Sequence, residues 1–219
     1  MKKLTKAVAI ASMMTAGVMS AQTATAEVSA TADLATSYLF RGVELGGQAP
    51  LISASLDYSH ESGIYTGIWA AGGDTTNGAE YDLYVGFAKE FGDFGVDVGY
   101  VTYIYPSQAA SDDAGDIAEA YLSLSYAGFG LSVTKPVDPA TDSDFEYITI
   151  EGGMGDVSAL VGYQNNEAKD SNYTHLDVTY AFNDSLAFTA SKVVQQDDLS
   201  SNDQSLQLVA SYSLPIEVK

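Results

Sequence analysis

Glu80-Tyr81-Asp82-Leu83-Tyr84-Val85-Gly86-Phe87, a turn at Glu90-Phe91-Gly92-Asp93, and Phe94-Gly95-Val96-Asp97-Val98-Gly99-Tyr100 decide the fold. Tyr81, Leu83, Val85 and Phe87 alternate with Glu80, Asp82, Tyr84 and Gly86. Beyond the turn, Phe94, Val96, Val98 and Tyr100 alternate with Gly95, Asp97 and Gly99. Successive side chains of a strand point to opposite faces, so a period of two reads as strand. A helix would need a period near 3.6. Each of these strands therefore has one large apolar face and one face of acids, tyrosine and glycine.

The same rhythm extends outward in both directions. Residues 28–41 alternate, with Val28, Leu34, Tyr38 and Phe40 on one face and Asp33 and Arg41 on the other. Ile52, Leu56 and Tyr58 oppose Ser53, Ser55 and Asp57. Leu122 and Leu124 oppose Tyr121 and Ser123; Leu176, Val178 and Tyr180 oppose His175 and Asp177; Leu206, Leu208 and Tyr212 oppose Gln207, Val209 and Ser211. Weaker strands are expected over 64–71, 129–135, 145–151, 157–164 and 186–194. The total is about twelve, an even number, as single-chain bacterial transmembrane barrels require. Short connectors at 60–63, 90–93, 127–128, 152–156 and 183–185 alternate with long polar ones at 42–50, 72–79, 106–115, 136–143, 165–172 and 195–202. Short turns at one end and longer loops at the other is the layout of an antiparallel up-and-down outer-membrane β-barrel.

Aromatic residues support this layout. Tyr58, Phe87, Phe91, Phe94, Tyr126, Phe129, Phe182, Phe188 and Tyr212 lie near the short turns or the C-terminus. Tyr38, Phe40, Trp69, Tyr100, Tyr103 and Tyr105 lie near the long loops. Two such groups match the interfacial girdles of a barrel, where amphipathic rings favour the headgroup level. A soluble β-sandwich or lipocalin-like barrel would also alternate, but with large apolar residues inward and charges outward.

Composition narrows the function classes. The 219 residues are 46% hydrophobic and only 17% charged, yet the net charge is −20. Soluble domains carry about 25% charged residues. Fifteen tyrosines and eight phenylalanines exclude a disordered acidic tail. The acidic balance argues against nucleic acid, which needs a basic footprint. With no cysteine, disulfides, thiolate metal sites, a cysteine nucleophile and a lipid-modified N-terminal cysteine are excluded. Lys2, Lys3 and Lys6 precede an apolar stretch from Ala7 to Met19 and the small-residue pattern Ala24-Thr25-Ala26. These are the three parts of a secretory signal peptide, and the apolar part is shorter than the roughly 18–20 residues of a membrane anchor. Residues 1–26 are expected to be cleaved. Residues 27–219 form the single barrel domain, with six basic residues against 29 acidic ones and a net charge of −23.

Ser37-Tyr38-Leu39-Phe40-Arg41-Gly42, residues 62–70, residues 80–84 and residues 92–106 together resemble the TorF family of porin-like bacterial proteins. The resemblance covers roughly residues 27–106; the second half matches mainly in rhythm, as at 119–126. It implies an outer-membrane barrel and says little of the solute. One departure is the end of the chain: barrels usually finish on an aromatic residue read by the outer-membrane assembly machinery, whereas Pro215-Ile216-Glu217-Val218-Lys219 follows Tyr212-Ser213-Leu214 here.

With the apolar faces on lipid, the opposite faces line the lumen, because charges facing lipid are costly. The pore-lining candidates are Asp33, Arg41, Asp57, Glu80, Asp82, Asp97, Glu119, His175 and Asp177, and Glu151 shares that face. Tyr65, Trp69, Tyr84 and Tyr103 are inward aromatics that would narrow the path. Twelve strands enclose more space than eight, whose interiors just fill. The expected function is passive diffusion of small hydrophilic solutes, with anions disfavoured by the acidic lining. The alternatives are a non-conducting structural or receptor-like barrel with acidic adhesive loops, and an outer-membrane hydrolase built on His175. No G-x-S-x-G elbow supports the latter, and no enzyme activity, catalytic residue, cofactor or metal is expected. Arg41, the only arginine, either meets solute carboxylates near the outer mouth or pairs with a wall acid. Asp112, Asp113, Asp116, Asp138, Asp142, Asp144, Asp197, Asp198 and Asp203 read as a solvated loop rim without a calcium-loop motif. No loop looks long enough to fold inward, which points to a monomer.

Overall fold

Alternation becomes a closed wall in the computed structural model, which describes residues 26–74, 78–108, 113–137, 145–166, 171–198 and 200–218. The expected signal peptide, apart from Ala26, and Asp112, Asp138, Asp142 and Asp144 lie outside the described residues. The strands are β1 (Glu27–Ala35), β2 (Leu39–Phe40), β3 (Val43–Glu44), β4 (Leu51–Ser59), β5 (Ile64–Asp74), β6 (Gly78–Phe91) and β7 (Phe94–Ile104). They continue as β8 (Ile117–Tyr126), β9 (Phe129–Pro136), β10 (Phe145–Met154), β11 (Val157–Asn166), β12 (Tyr173–Ala181), β13 (Leu186–Gln196) and β14 (Gln207–Ile216). β1 and β4–β14 form a twelve-stranded barrel in which β1 pairs with both β4 and β14. Every barrel pairing is antiparallel. Closure leaves no unpaired edge, which a strand structure in hydrocarbon requires. β1 starts opposite Ser59 and β14 ends opposite Ala30, so both ends of the barrel chain lie toward the short-turn side.

The two faces of the wall are inverted relative to a soluble barrel. Leu34, Ile52, Leu83, Leu122, Ile150 and Leu208 point outward and stay exposed, Leu208 at 71%. Glu80, Asp82, Asp97, Glu119, Thr149 and His175 are buried inside. Water would not tolerate so large a continuous apolar surface; a hydrocarbon layer covers it. The lower aromatic girdle is present, with Tyr58, Phe87, Phe91, Phe94, Tyr126, Phe129, Phe182, Phe188 and Tyr212 all exposed. The expected girdle near the long loops needs correction. Tyr38, Trp69 and Tyr103 are buried, and Tyr105 bonds to the inward Glu80. Of the residues expected there, Tyr100 faces out; Tyr81 and Tyr163 join it.

Two further expectations fail at one place. The strand read over 28–41 ends at Ala35, and residues 36–50 turn inward. Within them β2 and β3 form a hairpin pairing Leu39 with Glu44 and Phe40 with Val43. Period two persists in the letters through Arg41, but Arg41 and Gly42 take left-handed backbone (φ +49° and +78°) and reverse the chain. A loop of this chain is therefore long enough to enter the lumen. The buried apolar cluster of the protein lies under it, where Tyr38, Leu51, Trp69, Ala71 and Val209 meet, with Leu39, Phe40 and Leu45 of the hairpin against them.

Candidate functional site

The inward segment is stapled to itself before it touches the wall. Glu44 Oε1 accepts from Ser37 Oγ (2.7 Å), Gly46 N (2.9 Å) and Gln48 N (2.9 Å). At its root, Thr36 N donates to Ala210 O and Ala210 N donates to Thr36 Oγ1, both at 3.0 Å. Two side chains then reach the barrel. Tyr38 donates its hydroxyl to Glu80 Oε2 at 2.8 Å, and its ring centroid lies 6.3 Å from that of Trp69. Burial, reinforced by the Glu80 carboxylate, pushes the Tyr38 phenol up, so it remains a neutral donor. Tyr105 donates to the other Glu80 oxygen at 2.7 Å.

Arg41 is the second contact. Its Nη2 donates to Glu119 Oε2 at 2.5 Å, and both side chains are almost fully buried. Tyr103 donates to the same oxygen at 2.7 Å. The guanidinium carbon lies 4.5 Å from the Tyr147 ring centroid, 4.7 Å from Phe40 and 5.5 Å from Phe145. A carboxylate and three aromatic faces thus surround one planar cation, an arrangement favoured by the ring quadrupoles. Arg41 Nε is buried without a hydrogen-bond partner.

The wall behind the hairpin carries His175. Its Nδ1 lies 3.1 Å from Asp177 Oδ1 and its Nε2 lies 2.7 Å from the Tyr147 hydroxyl. Both contacts are satisfied when Nδ1–H donates to Asp177 and Nε2 accepts from Tyr147. The Tyr147 and His175 rings stack at 5.9 Å. Gly42 packs against this imidazole so closely that a β-carbon there would overlap it. Nearby, Asp82 sits between Trp69 and Tyr103 in the strand register. It is 0% exposed and neither carboxylate oxygen has a partner. Toward the short turns, Tyr65 donates to Asp97 Oδ1 at 2.7 Å and also meets the Tyr121 hydroxyl. Tyr84 donates to Asp57, which also accepts from Ser55 at 2.8 Å.

The structure thus gathers Arg41, Glu80, Asp82, Glu119, His175 and Asp177 at the hairpin and places Asp57 and Asp97 in a lower layer. Asp33 stands apart on β1, where Thr31 donates to it at 3.2 Å. Tyr65, Trp69, Tyr84 and Tyr103 are all inside the barrel. Tyr38, Phe145 and Tyr147 were not among the sequence candidates. Phe145 and Tyr147 share the parity of Glu151, so stepping back along β10 would have found them. Tyr38 had no such signal, because it falls on the apolar parity of a strand that stops short of it.

One solved structure, reported as "Unveiling the Mechanism Behind the in-meso Crystallization of Membrane Proteins", is similar over 87% of this chain and 85% of its own, with TM-score 0.57 and 10% identity. A KdgM porin in complex with disordered oligogalacturonate aligns over 88% and 100%, with TM-score 0.46 and 5% identity. Pseudomonas aeruginosa OccK10 (OpdN) aligns over 89% and 71%, with TM-score 0.42 and 15% identity. At these identities the likeness concerns the barrel fold alone. No curated protein matches the chain in sequence. A family model matches residues 16–212, and the chain accordingly belongs to the Gcw_chp family, described as bacterial proteins of unknown function.

Proposed function

We propose that the protein is an outer-membrane channel for passive diffusion of small hydrophilic solutes, and that its lining disfavours anions. The observation that carries this reading is the inverted barrel: an apolar wall outside, acids and hydroxyls inside. The bilayer is its outer partner and small solutes its inner one. The resemblance of the N-terminal half to the TorF family points the same way, with export through the N-terminal signal and insertion by the outer-membrane assembly machinery. Asp33, Asp57, Glu80, Asp82, Asp97, Glu119 and Asp177 line the path, with Arg41 as the opposing charge, and the resulting negative potential favours cations. In this reading the chain is not an enzyme. His175 is a structural residue, because both of its ring nitrogens are engaged by the wall. The inward hairpin favours a second reading, a barrel plugged at its long-loop mouth that conducts nothing. Purified protein in planar bilayers separates the two. Cation-selective conductance of the wild type supports the channel; silence of the wild type, with conductance appearing in a variant lacking residues 37–48, supports the plugged barrel.

A further inference from the structure

The surroundings of Arg41 have the chemistry of a binding site with a tethered occupant. Arg41 is the only arginine in the chain, and it is presented from left-handed backbone that L-residues adopt at a cost of roughly 1–2 kcal/mol. Backbone strain of this kind persists where the surroundings over-determine it. What receives the guanidinium is built on the wall: Glu119 of β8, held by Tyr103, and the rings of Phe145 and Tyr147 of β10. Only Phe40 comes from the hairpin itself. The fit is incomplete, since Nε is buried without a partner. Asp82 adds a buried carboxyl group with neither oxygen partnered, so the neighbourhood holds acceptor capacity that Arg41 does not use.

We propose that Glu119, Tyr147 and Phe145 form a recognition site for solutes bearing a guanidinium group, kept filled in the resting protein by Arg41. A planar, weakly hydrated guanidinium matches a carboxylate with aromatic faces better than an ammonium does, because it stacks and donates in a fixed fork. A passing solute takes the site when Arg41 withdraws with its hairpin. That last step rests on the channel reading; the binding site does not.

The test removes the occupant and supplies it from solution. Arg41→Ala protein in detergent micelles, first shown to be folded by heat-modifiable migration, is titrated with methylguanidinium and, separately, methylammonium. Heat of binding and emission of Trp69, the only tryptophan, are the readouts. Methylguanidinium is expected to bind Arg41→Ala about tenfold more tightly than methylammonium, and tenfold more tightly than it binds Arg41→Ala/Glu119→Gln. Wild type should bind it more weakly, since a tethered competitor acts at millimolar effective concentration. Equal affinity for the two cations, or no effect of Glu119→Gln, overturns the proposal. If Arg41→Ala does not fold, the wild-type pore decides: methylguanidinium must reduce its current more than methylammonium at equal concentration, and equal reduction overturns the site. A silent wild type with specific methylguanidinium binding to Arg41→Ala would instead reject the channel and keep the site.

Discussion

Tyr38 and Arg41 connect the inward hairpin to the barrel wall, and each does so through a buried carboxylate. Replacing Arg41 with Ala leaves Glu119 buried without its cation. Breaking such a pair costs about 3–5 kcal/mol, and here the cost falls on the docked hairpin, because Tyr103 still donates to Glu119. Faster proteolysis within residues 36–50 at unchanged barrel melting is the expected outcome. Tyr38→Phe removes one of the two phenol donors to Glu80, a loss of about 1.5–3 kcal/mol for a hydrogen bond to a charged acceptor. The pH dependence has a definite sign. The Tyr38 phenol is raised in the folded state, so its contribution is complete below the unfolded value near about 10 and is lost as pH rises above it. Wild-type Trp69 emission should hold steady through neutral pH and change in alkali, with a smaller change in Tyr38→Phe. These two residues also mark where the letters mislead. Tyr38 and Arg41 continue the parity of β1, and only Gly42 and the Gly46-Gly47 pair hint that the strand has ended.

At the scale of strands and turns, inward aromatic rings are accommodated by glycines directly across the ladder. Tyr65 faces Gly86, Tyr84 faces Gly67, Tyr121 faces Gly99 and His175 faces Gly162. A β-carbon at any of these four glycines would meet the opposing ring, so each glycine is a space through which a ring lies flat on the wall. Gly99→Val should therefore push Tyr121 away from the Tyr65 hydroxyl and Asp97, at a cost typical of overpacking, about 1–3 kcal/mol. Loss of the folded band at lower temperature during heat-modifiable migration would show it. The Ala127-Gly128 turn responds in the other direction. Both residues have positive φ (+51° and +89°), the two-residue hairpin geometry that favours Asn-Gly. Ala127→Asn should stabilise the barrel by about 0.5–1 kcal/mol, raising the temperature at which the folded band disappears. Strand positions, turn positions and most inward faces were legible because each follows from parity and turn chemistry within ten residues. The hairpin's destination was not, since it depends on Glu80, Glu119 and Tyr147, contributed by three strands far along the chain.

For the whole molecule, acids occupy two kinds of place, and salt tells them apart. Asp113, Asp198 and Asp203 sit in exposed loop positions, whereas Glu80, Asp82, Asp97 and Glu119 are buried in the lumen. Exposed charges act on a permeating ion through a Debye length of about 10 Å at 0.1 M salt and about 3 Å at 1 M. A cation preference created by the loops must fade across that range. Carboxylates enclosed by the wall are screened far less. If the lumen sets the preference, the reversal potential under a fixed salt ratio should still favour cations near 1 M. Asp97→Asn, which neutralises an inward acid of the lower layer, should then reduce it at both salt concentrations. A preference that vanishes at 1 M and ignores Asp97→Asn would move selectivity out to the loops. The lumen would then remain a passage whose charges are already matched by internal partners, as Arg41 and Tyr103 match Glu119 and as Tyr65 serves Asp97.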